Sequence, residues 1–133
     1  MIYVLDTNTI SDLIEGHQQV ISHLSGCITR GDTIHLCQPV FYEVMRGLFW
    51  RNLRKKQVIF RGTIRPQLDW VELIDDDWFQ AALFWSSAKS HGRQLSDIDV
   101  LIASLAHRLN AIVVSGDADF DALPVTRENW RLP

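Results

Sequence analysis

The length, composition and charge of the chain exclude several classes of protein. Its 133 residues, 47% of them hydrophobic, are enough for one domain spanning 1–133, and a net charge of −3 is ordinary for a soluble globular protein. No apolar run could span a bilayer and the first predicted strand begins at residue 2, so we expect a cytoplasmic protein without a leader or a membrane anchor.

The first predicted strand ends in a carboxylate. An apolar run over 2–5 is followed by Asp6, Thr7 and Asn8, and then by a short amphipathic helix that ends at Gly16. In open α/β sheets, ligands bind at the carboxyl edge of the strands, so Asp6 is a candidate site residue. The alternative is that Asp6 and Thr7 only cap the helix.

A second carboxylate is predicted to reach the same edge. A helix over 18–29 and a strand over 33–37 precede a third helix, on which Glu43 lies off the apolar face and shares a stripe with Gly47. The glycine leaves room for a group to approach the carboxylate. Because this helix starts just after the second strand, we expect Glu43 near Asp6. An exposed helical glutamate is the alternative.

The charges are unevenly distributed along the chain. Between Glu43 and Asp69 there is no acidic residue, and this interval holds seven of the 13 lysines and arginines. The segment 53–68 is predicted to be helical, with Gly62 as a point of interruption and Pro66 as its end. Its predicted apolar anchors are Val58, Ile59 and Ile64. Such a basic block suits a polyanion, whereas a solvated helix face is the alternative.

The next elements carry several acidic residues. A strand over 70–74 leads to an acidic triplet, 75–77, which favours the start of a helix over 78–91 rather than metal binding. The helix after that carries Asp97 and Asp99 on opposite flanks of its apolar face.

The two flanks of this helix predict different roles for the two acids. The Asp99 flank continues with alanines, which allow close approach, so Asp99 is favoured as the inward acid. The Asp97 flank continues with Ser104 and Arg108 and is expected to face solvent. The alternative for Asp99 is a capping box with Ser96.

A last buried strand again ends in a carboxylate. The run 111–114 leads into Ser115-Gly116-Asp117, and a short edge strand is expected near Val125, with Trp130 packed over an end of the sheet. Strands that alternate with helices predict an α/β fold, with a central, mainly parallel sheet and helices on both faces. Asp6 and Asp117 would then lie at one edge of that sheet.

Four converging carboxylates predict a metal site. The five histidines have no i, i+4 pair, and Cys27 and Cys37 lack CxxC spacing and are expected to be buried free thiols, so zinc is disfavoured. An all-oxygen site suits Mg²⁺ or Mn²⁺, which would also relieve the repulsion between the acids. Such ions promote phosphodiester hydrolysis, and the basic block would hold the phosphate backbone.

The chain resembles PIN-domain ribonucleases, and more narrowly the VapC-type toxins of bacterial toxin–antitoxin pairs. The motifs that carry the resemblance are MIYVLDTNTISDLI, YEVMRG, DIDVLIASLAHRLNAIVVSGDADF and the closing ENW. The resemblance implies a three-layer α/β/α PIN-like domain. It also implies a Mg(II)- or Mn(II)-dependent endoribonuclease that inhibits translation, with RNA as substrate, a cognate VapB-type antitoxin and a homodimeric state.

The resemblance also assigns roles to particular residues. The acidic quartet falls on Asp6, Glu43, Asp99 and Asp117. Asp6 and Asp117 would be direct metal ligands, Glu43 and Asp99 would complete the site directly or through water, and a metal-activated water would attack. Further matching positions are Asn8 and Ser115, as supporting polar residues, and Asp119, as an accessory acid. The residues expected to contact RNA are Arg46, one turn from Glu43, and Arg51, Arg54 and Lys55. Asp97 is an extra acid that leaves the third assignment partly open.

The main alternative is a PIN-like module that binds RNA or a partner protein without catalysis. The intact acidic quartet counts against it. A haloacid-dehalogenase-like phosphatase is disfavoured because Asn8 stands where its second aspartate is needed, and a receiver domain because no lysine follows Lys89.

Overall fold

The computed structural model describes residues 1–133, which form five strands and six α-helices. The strands are β1 (Ile2–Leu5), β2 (Thr33–Cys37), β3 (Asp69–Val71), β4 (Ile112–Val114) and β5 (Thr126–Glu128). The helices are α1 (Thr7–Glu15), α2 (Gln18–Arg30), α3 (Gln38–Trp50), α4 (Arg54–Ile59), α5 (Asp75–Ser90) and α6 (Asp97–Leu109). A π turn (Phe60–Ile64) and two 3₁₀ turns (Arg65–Gln67 and Ala118–Ala122) complete the structure.

The strands form one parallel sheet in the order β3-β2-β1-β4-β5. The chain reverses its direction across the sheet between β1 and β4, so the crevice where ligands bind in such sheets lies outside the carboxyl ends of these two strands. The register pairs Leu5 with Val114, which places Asp6 and Ser115 at the same level. The predicted α/β class and parallel sheet are confirmed.

The central strands are buried on both sides because helices cover both faces of the sheet. Val4, Leu5, Val113 and Val114 are inaccessible to solvent, and continuous apolar runs of this kind are typical of parallel strands. The helix α6 packs against β1 and β4. It thereby carries its own N-terminal turn to the edge of the sheet where Asp6 lies.

The predicted helix over 53–68 is wrong in two of its anchors, and it is interrupted around Gly62, as predicted. The helix α4 ends at Ile59, and the chain continues through the π turn. Val58 is 71% exposed and Ile59 is 38% exposed, whereas Phe60 and Ile64 are buried. A π turn holds one residue more than an α turn, so it rotates the buried face away from the positions that an α-helical period predicts.

The predicted solvent-facing flank of α6 is also wrong, because α5 covers it. Ser104 is 1% exposed, and Arg108 donates two hydrogen bonds to Asp77 of α5, at 2.7 and 3.0 Å. Asp77 also accepts a hydrogen bond from the backbone N–H of Ile74, so the capping role predicted for the acidic triplet is confirmed at this residue.

Smaller differences concern the ends of elements. The strand β3 is shorter than predicted and begins at Asp69, and α5 begins within the acidic triplet, at Asp75. Both predicted free thiols, Cys27 and Cys37, are buried and unpaired. None of the helices combines the length and the apolar character needed to cross a membrane.

Candidate active site at the carboxyl edge of the sheet

Asp6 links the end of β1 to the start of α1. Its carboxylate is 4% exposed, and Oδ1 accepts a hydrogen bond from the backbone N–H of Thr9 at 2.8 Å. Asp6 is therefore the N-cap of α1, as the alternative interpretation predicted. A carboxylate has two oxygens with about four acceptor sites, so capping and ligand binding are compatible.

Burial has a cost for the charge of Asp6. Desolvation raises the pKa of this carboxyl, the hydrogen bonds from Ser115 and Thr9 oppose that rise, and the charge of Asp117 adds to it. Asp6 is thus held where its ionised form is destabilised, which a nearby cation would reverse.

Ser115 and Asp117 form the corresponding end of β4. Ser115 is fully buried, and its Oγ accepts a hydrogen bond from the backbone N–H of Asp117 at 2.9 Å. The carboxylate of Asp117 caps the following 3₁₀ turn by accepting from the N–H of Asp119. Ser115 therefore contacts both candidate metal ligands, Asp6 through its hydroxyl and Asp117 through the backbone.

Asp99 lies in the first turn of α6. Burial raises the pKa of its carboxyl to about 6; the charges of Asp117, Asp6 and Glu43 add to the rise, and a hydrogen bond from Ser96 opposes it. The same serine accepts a hydrogen bond from the backbone N–H of Asp99 at 3.1 Å, so the predicted helix cap also exists. Asp97 is exposed.

Glu43 stands on α3 at the side of a groove between α1 and α3. The groove measures about 270 Å³ and is lined by Thr7, Glu43 and Gly47, among others. A Cβ at Gly47 would meet no atom within 4 Å, so the space predicted beside Glu43 is present. Glu43 is half-buried and accepts a long hydrogen bond from Arg46, at 3.4 Å.

The residues at this edge fit a hard divalent cation in their chemistry. All the candidate donors are oxygen atoms, and the buried hydroxyl of Thr7, which lines the Glu43 groove, has no hydrogen-bond partner. No group of three or more Asp, Glu, His or Cys side chains is close enough to hold a metal ion as the side chains stand. A bound cation would therefore have to draw the carboxylates together.

The residues predicted to support the site differ in their surroundings. Asn8 lines a pocket of about 290 Å³ together with Asp117, Asn129 and Arg131. Asp119 is exposed, and its Oδ1 lies 3.7 Å from Nη2 of Arg93. Thr7 directly follows Asp6 and Asn129 stands in the ENW motif, but the sequence predicts no ligand-binding role for either of them or for Arg131.

The basic residues fall into two groups. Arg46 is held by Glu43 and lies 5.1 Å above the ring of Tyr42. Arg51, Arg54 and Lys55 are exposed and form no ion pair. Two further arginines share a shallow concavity with Arg54, namely Arg61 and Arg65.

Comparisons with known proteins show similarity in sequence and in fold. The sequence profile of the PIN domain matches residues 3–125. None of the curated proteins compared with the chain matches it significantly.

Several solved structures share the fold. VapBC2 from Rickettsia felis, bound to a DNA fragment from their promoter, superposes with a TM-score of 0.88 at 24% identity, over 98% of this chain and 99% of that chain. FitAcB from Neisseria gonorrhoeae gives a TM-score of 0.82 at 22% identity, over 100% of both chains. DNA-bound VapBC from Salmonella typhimurium gives 0.84 at 17% identity, over 98% of both chains.

Proposed function

Because the chain belongs to the PIN-domain family, we propose that it is a Mg²⁺- or Mn²⁺-dependent endoribonuclease and the toxin of a toxin–antitoxin pair. The observation that best supports the nuclease is electrostatic: the charges of Asp117, Asp6 and Glu43 all raise the pKa of Asp99. The charges of three carboxylates thus reach a fourth at the sheet position where ligands bind. Without a cation, this arrangement destabilises the ionised form of Asp99. Perturbed pKa values of this kind cluster at functional sites.

The proposed ligands are Asp6, Asp99 and Asp117, with Glu43 acting directly or through water. When bound, the metal ion would supply positive charge to polarise the phosphodiester and to lower the pKa of a water molecule. Ser115 orients Asp6 and the Asp117 backbone, and Asn8 stands beside Asp117 as a polar contact for the substrate. Asp119, exposed beside Asp117, is a candidate accessory acid.

The basic segment is proposed to bind the RNA backbone. Arg51 and Arg54 stand on the exposed side of the segment with Lys55, and no carboxylate neutralises them. Arg51 also lines the Glu43 groove, which connects this segment to the proposed site. Arg46 is proposed to contact the scissile phosphate, which would release it from Glu43. Phosphate contacts of this kind give affinity that falls with salt.

The toxin role rests on the resemblance in sequence and on the solved structures of similar fold. Those structures are of VapBC and FitAcB, so we propose that this chain binds a VapB-type antitoxin, inhibits translation and acts in the cytoplasm. We also propose a homodimer. Large exposed apolar side chains on α3 and α5 supply surface for such contacts. They include Tyr42, Phe49, Trp50, Trp78, Phe79 and Leu83.

The deciding experiment is RNA cleavage by the purified protein, with Mg²⁺, with Mn²⁺ and with EDTA. We expect metal-dependent cleavage by the wild type and by Asp97→Asn, and none by Asp99→Asn. Because Asp97 is exposed two residues from Asp99 on the same helix, it is a matched control. Equal loss of activity in both variants would refute the assignment of Asp99.

The second candidate function is a PIN-like module that binds RNA or a protein without catalysis. The observation in its favour is that no three acidic side chains are positioned to hold a metal ion as they stand. Titration calorimetry with Mn²⁺ separates the two functions. Absence of metal binding together with absence of cleavage would favour the module.

A further inference from the structure

A polar pocket lies next to Asp117, on the side formed by the C-terminal segment. We call it the C-terminal pocket; it measures about 290 Å³ and is lined by Asn8, Asp12, Gly116, Asp117, Asn129 and Arg131, with Thr9, Val20 and Trp130. Asp117 and Asn8 belong both to this pocket and to the proposed active site. A substrate held at Asp117 would therefore extend into it.

Two carboxamides offer unused hydrogen-bonding groups to the pocket. Oδ1 of Asn129 accepts from the backbone N–H of Arg131 at 3.0 Å, and its Nδ2 donates to no protein atom. Asn8 is exposed and makes no side-chain hydrogen bond within the chain. A carboxamide has both a donor and an acceptor, the pairing that reads the edge of a nucleobase.

A fixed guanidinium forms another part of the wall. Nε and Nη2 of Arg131 donate to the two carboxylate oxygens of Asp12, at 2.7 and 2.8 Å, while the Arg131 side chain remains 56% exposed. Its neighbour Trp130 is 1% exposed, packs edge-on against Tyr3 and stacks on His23. The segment is thus anchored, and it presents a planar group of the kind on which bases stack.

The charge of the pocket favours a neutral occupant. Arg131 neutralises Asp12, so Asp117 is the remaining charged group. Without a metal ion it would repel a phosphate, and with one its charge is taken up by the ion. A nucleobase is planar, neutral and rich in hydrogen-bonding groups. The volume, about 290 Å³, lies at the small end of ligand pockets, which suits a single base.

We propose that the C-terminal pocket binds the base of a nucleotide next to the scissile phosphate, and that Asn129 and Arg131 thereby set the sequence preference of cleavage. This inference rests on the proposed function, because it takes RNA to be bound at Asp117. The competing occupant is a cationic side chain of a partner protein, attracted by Asp117.

The first test needs neither metal nor turnover. The ¹⁵N-labelled protein is titrated in EDTA with adenosine, cytidine, guanosine and uridine, which carry no phosphate. We expect amide shifts confined to Gly116, Asn129 and Arg131 and their neighbours, with one base binding most tightly. Asn129→Ala should weaken that binding about tenfold, the effect of losing one good hydrogen-bonded contact.

Two variants control for misfolding and for loss of charge. Asn129→Asp has the same shape and retains the acceptor for the Arg131 N–H. It replaces the free amide donor by a charged acceptor, so it should alter which nucleoside binds best. Arg30→Gln is matched to Arg131→Gln, because Arg30 is 59% exposed and pairs with Asp32 at the opposite end of the sheet. Arg30→Gln should leave nucleoside binding unchanged, whereas Arg131→Gln should weaken it.

The second test is cleavage of short RNAs that differ only at the bases flanking the cut. Asn129→Ala should reduce kcat/KM about tenfold on the preferred sequence and little on the others, so that the preference disappears. Absence of nucleoside shifts in the wild type, or shifts produced by argininamide and not by nucleosides, would overturn the proposal. If the protein binds nucleosides at this pocket but does not cleave RNA, the proposed nuclease activity is refuted and the proposed base-binding pocket is supported.

Discussion

The backbone N–H of Asp6 donates a hydrogen bond to the carbonyl of Val114 at 3.1 Å, which joins the end of β1 to the end of β4. These are the two strands at which the chain reverses its direction across the sheet. One backbone bond thus brings the first candidate acid level with Ser115, although more than a hundred residues separate them. The proposed site is therefore built on the buried centre of the sheet.

The two roles of Asp6, as the N-cap of α1 and as a proposed metal ligand, can be separated by substitution. Asp6→Asn retains an oxygen acceptor for the N–H of Thr9 and removes a buried charge, so it should not lower the free energy of unfolding of the metal-free protein, while it abolishes cleavage. Asp6→Ala should abolish cleavage and also cost about 1 kcal/mol, the usual value of an N-cap. Urea denaturation and RNA cleavage measure the two effects. Full activity of Asp6→Asn would contradict its role as a ligand.

Asp99 predicts a stability that falls as pH rises in the metal-free protein. Because the pKa of Asp99 is raised from 3.8 to about 6, the folded state binds the proton more tightly than the unfolded state does. Below pH 4 the protonated carboxyl of Asp99 does not destabilise the fold. Between pH 4 and 6 its ionisation lowers the free energy of unfolding. In EDTA at pH 7, Asp99→Asn should melt at a higher temperature than the wild type.

The comparison across pH provides the control for Asp99. The difference in Tm should disappear near pH 4, and Asp97→Asn, which alters an exposed acid, should show none at either pH. Saturating Mg²⁺ should raise the Tm of the wild type and not that of Asp99→Asn. A lower Tm for Asp99→Asn at pH 7 would show that the ionised carboxylate stabilises the fold.

Much of this site follows from the sequence because strand ends and helix starts are local features. Asp6 and Asp117 come directly after apolar runs, and the parallel sheet then places them at one edge. The helical wheel wrongly predicts that Ser104 and Arg108 face solvent, because it takes no account of the packing of α5 against α6. The sequence predicts no pocket role for Asn129 or Arg131, because pocket walls are formed by contacts distant in sequence.

The ion pair between Asp77 and Arg108 should be more sensitive to replacement of the arginine than to replacement of the aspartate. Asp77 is 1% exposed, whereas the Arg108 side chain is 33% exposed. Removal of Arg108 leaves a buried carboxylate unpaired, so Arg108→Ala should lower the free energy of unfolding by about 3 kcal/mol or more. Asp77→Asn should lower it by less, because the amide oxygen still accepts a hydrogen bond from the backbone N–H of Ile74 and the Arg108 guanidinium can be solvated by water. Urea denaturation measures both, and Arg93→Ala, which breaks an exposed pair, should cost under about 1 kcal/mol.

The exposed cations predict the salt dependence of RNA binding. Arg51→Ala and Arg54→Ala should each weaken RNA binding for all sequences and reduce the slope of log K against log salt by about 0.7. The matched control is Lys89→Ala, which removes a cation on α5 that lies over Trp85. Filter binding at several salt concentrations, with Asp99→Asn as the inactive background, gives the slopes. An equal loss from Lys89→Ala would indicate a general charge effect rather than a binding surface.

The reactivity of the two buried thiols should report on unfolding of the chain. Burial raises the pKa of Cys37 to about 11, and it raises the pKa of Cys27 as well. Since the thiolate is the reactive form and both side chains are inaccessible, neither should react with a thiol reagent in the native protein at pH 8. Both should react together in urea, at the same midpoint as the loss of helical circular dichroism. Rapid modification of one thiol in native buffer would show that α2 or β2 opens locally, since Cys27 lies on α2 and Cys37 on β2.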